Sequence, residues 1–238
     1  MARLDSRKLY AFDDNFYRHM RAGSFNYINA DKILIKRIGL RPQAGVLPSR
    51  HSFNGSNCPA IIFNSGYEES RSFILSILNS KVAAYYLNHI SPPKLGNFFR
   101  YNPKTISKLP IPDISPAEQQ PFIDLAEQLL TGHRALHAAE ADFAALLRAE
   151  LGLSAPLTGK LAPAQEWKPW STALQKSLRR EFTLAEKNEW LKYHQRHQQQ
   201  QAAARQHLAQ LDARLDALVY QLYQLTPPEI ALVEGTAG

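Results

Sequence analysis

An α+β fold is predicted for the first part of this 238-residue chain, followed by a long-helix, antiparallel coiled-coil-like region. Three observations predict it. Up to Pro112, short apolar runs edged by Gly, Pro, Asn and Ser alternate with stretches of helical spacing. From Ser115 onward, Ser/Thr-x-x-Glu capping boxes recur, and apolar residues return every seven positions.

In chain order, DKILIKRIG reads as one strand with Ile33, Leu34, Ile35 and Ile38 apolar, and PAIIFNS (59–65) reads as a second. Between them LRPQAGVLPSRHSFNGSN is rich in Gly, Pro, Asn and Ser, which is turn chemistry. Phe73, Ile74, Ile77 and Leu78 then fall at helical spacing. Ser80 is placed to cap a further helix through Val82, Tyr85, Tyr86 and Ile90. ISPPKLGNFFRYNPKTIS is a Pro/Gly/Asn loop, and KLPIP ends the unit as a proline-stiffened strand.

Ser115-Pro116-Ala117-Glu118 opens the second region as a capping box with proline at the first helical position, where its missing N–H costs nothing. Phe122, Leu129, Leu136 and Phe143 lie at strict sevens, with Leu125, Ala139 and Leu146 near the complementary positions. APAQEWKPW reads as a connector, and Thr183-Leu184-Ala185-Glu186 as a second box. The helix beyond passes through the polar run HQRHQQQQAAARQ and regains a seam at Leu208, Leu211, Leu215, Leu218 and Leu222. Thr226-Pro227-Pro228-Glu229 is a third box, opening a short terminal helix. Two heptad segments joined by a compact connector favour an antiparallel pair over an extended dimeric zipper. The expected domains are therefore 1–112 and 113–238.

Charge follows the same division. The net charge is +7, but residues 1–112 hold 16 Lys+Arg against 6 Asp+Glu, while residues 113–238 hold 12 against 15. A basic first half suits an anionic partner, nucleic acid or an anionic surface, although a well-solvated basic exterior reads the same way. No apolar run reaches the ~20 residues of a membrane span. The N-terminus MARLDSRKLY lacks a signal-peptide core, so a soluble, cytoplasmic chain is expected. Cys58 is alone and reads as an inert thiol.

The order ILNSKVAAYYLNHISPP, GNFFRYNPKTISKLPIPDISPAEQQPFIDLAEQLL and LDALVYQLYQLTPPEIALVE resembles the TaqI-like C-terminal specificity domain, from about Lys32 to Glu234. The densest matches are LNSK at 78–81, ISKLPIP at 106–112 and LVYQLY…TPPEI at 218–230. That family is the target-recognition part of type IIG restriction-modification enzymes and related adenine-N6 DNA methyltransferases. The resemblance implies binding to double-stranded DNA and work beside a methyltransferase or restriction domain, in cis or in trans. S-adenosylmethionine is then expected only on that catalytic domain, and no cofactor on this chain. The chain itself carries neither a Gly-rich cofactor loop nor an Asn-Pro-Pro-Tyr type motif; FNGSN at 53–57 and FFRYNPK at 98–104 lack the spacing. No paired acids with a lysine suggest a nuclease. His194, His197 and His207 read as solvated helix residues rather than metal ligands, since no Cys or carboxylate is spaced to complete a site. A non-catalytic specificity region is expected, with no metal.

Recognition of duplex DNA needs cations for phosphates and polar side chains for base edges. Two loops supply them. Arg41 to Asn57 offers Arg41, Gln43, Arg50, His51, Asn54 and Asn57. Lys94 to Lys104 offers Lys94, Asn97, Arg100, Tyr101, Asn102 and Lys104, with Lys108 just beyond. Lys36 and Arg37 are phosphate contacts or the solvent edge of a strand. Phe98, Phe99 and Tyr101 suit a packed core better than a stacking surface, and Asn54 and Asn57 serve equally as turn formers. The competing function is a non-catalytic protein-interaction adaptor built on the helical pair; a free-standing enzyme lacks any constellation to support it.

Overall fold

The computed structural model describes residues 30–51, 58–63, 71–153 and 157–235. Asn54 and Asn57 lie outside them. The chain divides into two compact units. One runs to Ile123 and resumes at Asp216; the other is Asp124–Leu215. The fold is α+β with a long helix pair, as the sequence predicts. No helix among the described residues is long and apolar enough to cross a membrane.

In the first unit, β1 (Lys32–Ile35) is the middle of an antiparallel sheet, between β3 (Ala44–Leu47) and β4 (Ala60–Ile62). Its register pairs Ile33 with Val46 and with Ile61. Ile33 and Ile35, two apart and so on one face, are fully buried. Lys32 is buried too; its Nζ donates to the Ala30 carbonyl at 2.8 Å, and burial lowers its pKa against the pull of Asp31.

The single strand read from DKILIKRIG is two. The chain breaks at Lys36-Arg37 and enters β2 (Ile38–Gly39), which belongs to a second antiparallel sheet with β5 (Pro93–Lys94) and β6 (Phe98–Arg100), in the order β2-β6-β5. Each half of the break is held separately: Lys36 N–H donates to Gln43 O, while Arg37 O accepts from Tyr101 N–H.

Helix α1 (Arg71–Asn79) buries Phe73, Leu75, Ile77 and Leu78, and Phe73 meets Phe122 edge-on at 5.3 Å. Helix α2 (Lys81–Ile90) starts at Ser80, whose side chain accepts from Ala83 N–H. It buries Ala83 and Leu87 rather than the Val82, Tyr85, Tyr86, Ile90 face. A single turn, α3 (Pro103–Ile106), precedes the long helix, and KLPIP, expected as a closing strand, pairs with no strand among the described residues and runs as irregular backbone.

That helix, α4 (Pro116–Leu151), begins at the expected box: Ser115 N–H and Oγ both donate to Glu118, whose N–H returns a bond to Ser115. Its return partner is α6 (Leu184–Leu222), boxed by Thr183 and Glu186. In the second unit, Gly132 faces Leu208, Gln201 donates to the Leu136 carbonyl, and Phe143 stacks on His197, so α6 descends as α4 climbs. A Cβ on Gly132 would sit 2.6 Å from Leu208, which shows how closely the helices approach.

Two expectations fail in this unit. The connector holds a helix, α5 (Trp167–Leu178), because Trp170 and Leu174, four apart, bury one face in a core with Phe143, Leu147, Leu153, Phe182 and Trp190. His194 and His197 are not solvated: they are 0% and 8% exposed, whereas His207 is exposed. The seam never lapses in the polar run. Trp190, His194, His197, Gln201, half-buried Ala204, Leu208, Leu211 and Leu215 continue one alternating three-and-four spacing. An imidazole fits there because its flat ring stacks: His197 on Phe143 at 4.2 Å, His194 on Trp170 at 4.5 Å.

Burial is the main force lowering both imidazole pKa values. His194 is lowered further by His197; for His197, Glu140 raises the value and Arg205 lowers it. The folded state therefore prefers both rings neutral. A depressed pKa contributes stability in full above the ordinary value of 6.5, and that contribution is lost as pH falls through the folded values. The melting temperature should drop on acidification below about pH 6.5, and His194→Phe should flatten the drop. An unchanged slope in that variant would assign acid sensitivity to other groups.

The third box closes as expected: Thr226 and Glu229 exchange bonds at the start of α7 (Pro227–Glu234).

Candidate nucleic-acid interface

The second sheet gathers most of the predicted loop residues. Ile38 pairs with Arg100 and Gly39 with Phe99, while Pro93 and Lys94 pair with Phe99 and Phe98 on the other side. Arg41 leaves β2 beside the turn of the β5–β6 hairpin, which carries Lys94 and Asn97. Arg37, Arg100 and Asn102 lie toward the opposite end. A β-carbon on Gly39 would stand 2.8 Å from the Arg41 carbonyl, so glycine is what lets the chain fold back there. At the hairpin turn Gly96 and Asn97 are both left-handed, with φ of 75° and 60°.

Beneath this sheet is a polar strut. Tyr101 is fully buried, its hydroxyl donates to Asn88 Oδ1 at 2.6 Å, and Asn88 Nδ2 donates to the Leu40 carbonyl at 3.0 Å. Burial pushes the phenol pKa up to about 12. Tyr101 thus spends both its ring and its hydroxyl inside the fold. Asn102 sits ahead of α3 but does not cap it; its Oδ1 accepts from Arg37 at 3.5 Å. Arg100 is half-buried, and its Nε has no partner among the described residues. Lys36, Arg41, Gln43, Lys94, Asn97, Lys104 and Lys108 are exposed.

The first predicted loop is not one loop. β3 runs through its middle, and its register sends the two ends apart: Gln43 lies by Lys36, whereas Leu47 lies by Lys32. Arg50 and His51 follow the far end, roughly four strand residues or 13 Å away. There Arg50 is left-handed at φ 64°, and His51 Nδ1 lies 3.0 Å from the Ser49 carbonyl. β3 was hidden because AGVL is short and surrounded by Pro and Gly.

Residues 6–111 match the TaqI-like C-terminal specificity domain. This specificity-domain match takes in both sheets, α1 to α3 and the hairpin, and it ends before the helix pair. Residues 115–219 instead match a family described only as a domain of unknown function (DUF8810). No curated protein and no solved structure matches the chain.

The densest of the matching motifs lie away from the exposed hairpin. They clasp one another. Asp216 accepts from the Lys81 backbone N–H at 2.8 Å, capping α2 with a charge, and the Lys81 ammonium reaches Glu234 at 3.0 Å and Asp216 at 3.8 Å. Tyr220 donates to Glu234 at 3.1 Å. The Lys81 hydrogen bond lowers the Glu234 pKa, and burial raises that of Tyr220. Tyr223 donates to the Pro110 carbonyl, and Tyr86 to that of Lys108. LNSK, KLPIP and LVYQLY…TPPEI thus meet inside the specificity unit and hold it together.

Exposed Leu40 and Leu95 belong to the hairpin end of the second sheet, yet no polar motif signals them. Their only mark in the sequence is a leucine beside a cation and a glycine, as in KLG and GLR.

Proposed function

We propose that this chain is the sequence-reading module of a restriction-modification type DNA methyltransferase, binding duplex DNA and positioning a catalytic domain that lies elsewhere. The specificity-domain match over the basic half supports it most strongly, since that half also concentrates exposed cations around one small sheet. Lys36, Arg41, Lys94, Lys104 and Lys108 suit phosphates, while Arg100, Gln43, Asn97 and Asn102 have the chemistry for base edges. Catalysis and S-adenosylmethionine belong to the partner domain, in cis or in trans, wherever that domain meets DNA in the cytoplasm.

A salt-dependent gel shift tests the reading: one duplex sequence should be retained against competitor, with affinity falling as salt rises. No duplex affinity at low salt would instead favour the adaptor built on the helix pair. Lys104→Ala should weaken all duplexes alike and reduce the salt slope by about one contact. Arg100→Ala should cost about 1–3 kcal/mol on the preferred duplex and less on others, if its guanidinium reads a base. Melting curves accompany both, because Arg100 is half-buried. Unchanged affinity in two folded variants would remove this end of the sheet from the interface.

A further inference from the structure

Leu95 is 98% exposed at the turn of the β5–β6 hairpin, and none of the described residues covers it. Leu40, 59% exposed, follows β2 at the same end of the sheet, and Phe98, 39% exposed, lies beneath the turn, its ring 3.5 Å from where a Gly96 β-carbon would be. Water disfavours such an apolar prow, and nothing in the fold requires it. Cations flank it: Lys94 adjoins Leu95, and Arg41 adjoins Leu40, both exposed.

The mount is stiff. Gly96 and Asn97 both take left-handed backbone within the three-residue turn Leu95–Asn97 that joins Lys94 to its partner Phe98. Arg100 N–H donates to Pro92 O at 3.0 Å, closing the base of the hairpin, and the Tyr101–Asn88–Leu40 strut fixes the neighbouring strand. A protruding leucine on a braced two-stranded ribbon between cations matches one ligand well: a stacked, polyanionic duplex. β-Ribbons enter the grooves of a duplex, and apolar side chains inserted from the minor groove unstack base steps.

We infer that Leu95 is a wedge that enters the base stack of bound DNA and opens one base step, with Lys94 and Arg41 on the flanking phosphates. This rests on the DNA-binding reading above and adds to it a deformation of the target.

The full-length protein selects its preferred duplex from a random-sequence pool, and 2-aminopurine is then substituted at each position of that duplex in turn. Binding should brighten 2-aminopurine at one step. Leu95→Met should keep the signal; Leu95→Ser should abolish it and weaken binding to the selected duplex by about tenfold or more. Leu95 touches no core, so both variants should melt like the parent. The wedge is overturned if no position brightens with the parent, if Leu95→Ser brightens the same step, or if Leu95→Ser loses affinity while no unstacking ever occurs. The last result would make Leu95 a surface contact to a base methyl. If the pool yields no retained duplex, the DNA-binding reading itself falls and the wedge with it.

Discussion

Ending the chain after Leu215 should destroy the cooperative folding of the specificity unit, although every residue matched to the specificity domain would still be present. The lost segment contributes fully buried Val219 and buried Tyr220 and Asp216. It also removes the carboxylate on the Lys81 N–H, the Glu234 partner of the Lys81 ammonium, and the Tyr223 bond to Pro110. Two buried side chains of this size are worth about 1.5–3 kcal/mol each, and an α2 left without its charged cap loses about 1 kcal/mol more. The total approaches the whole stability of a small unit. Hydrogen exchange at the β1 amides Ile33 and Ile35 would report it; protection equal to that of the parent would show that the first 123 residues suffice. Asp216→Asn should do much less, because the amide oxygen still accepts from Lys81.

Trp170→Ala should cost about 3–5 kcal/mol, the range for truncating a buried aromatic ring. Trp170 is fully buried, lies 6.0 Å from Phe143, 5.7 Å from Trp167 and 4.5 Å from His194, and donates its indole N–H to the Leu161 carbonyl at 3.2 Å. Its removal opens a void in the core that α4, α5 and α6 share, and it unroofs His194. The variant should melt earlier by calorimetry and also lose acid sensitivity, since a hydrated imidazole titrates near its ordinary value. Trp170→Phe should recover most of the stability but not the indole bond. A Trp170→Ala variant that melts with the parent would contradict this core.

How much of this could be read from the chain depended on whether the deciding contacts were local. The capping boxes at Ser115, Thr183 and Thr226 involve residues three apart, and all three form. The heptads from Phe122 to Phe143 are equally local. What escaped was decided at a distance or by unexpected residue types. At the break, Lys36 bonds to Gln43 and Arg37 to Tyr101, partners adjoining two different sheets that no nine-residue window displays. His194, His197 and Gln201 keep the seam's spacing while looking like solvent-facing residues. Their period was present in the chain, but their polarity concealed it. At the second sheet, loop chemistry points to Lys94 through Lys104, and the structure adds that Tyr101 faces inward and that Leu40 and Leu95 face outward. An exposed leucine cannot be told from a buried one by composition.

The clasp joining LNSK, KLPIP and the last helix has a consequence for how such modules can be exchanged between enzymes. The specificity unit is written in two pieces of the gene, with residues 124–215 between them. A single crossover downstream of Pro112 would unite one parent's α2 with another parent's Asp216, Tyr220 and Glu234, and the hybrid would fold only if the two halves of the lock still fitted. LNSK and the last helix then act as a compatibility tag, because Lys81 must still find Asp216 and Glu234 for the two pieces to join. On the DNA-binding reading proposed above, a swap of residues 36–43 and 92–104 should therefore leave both ends of the clasp untouched.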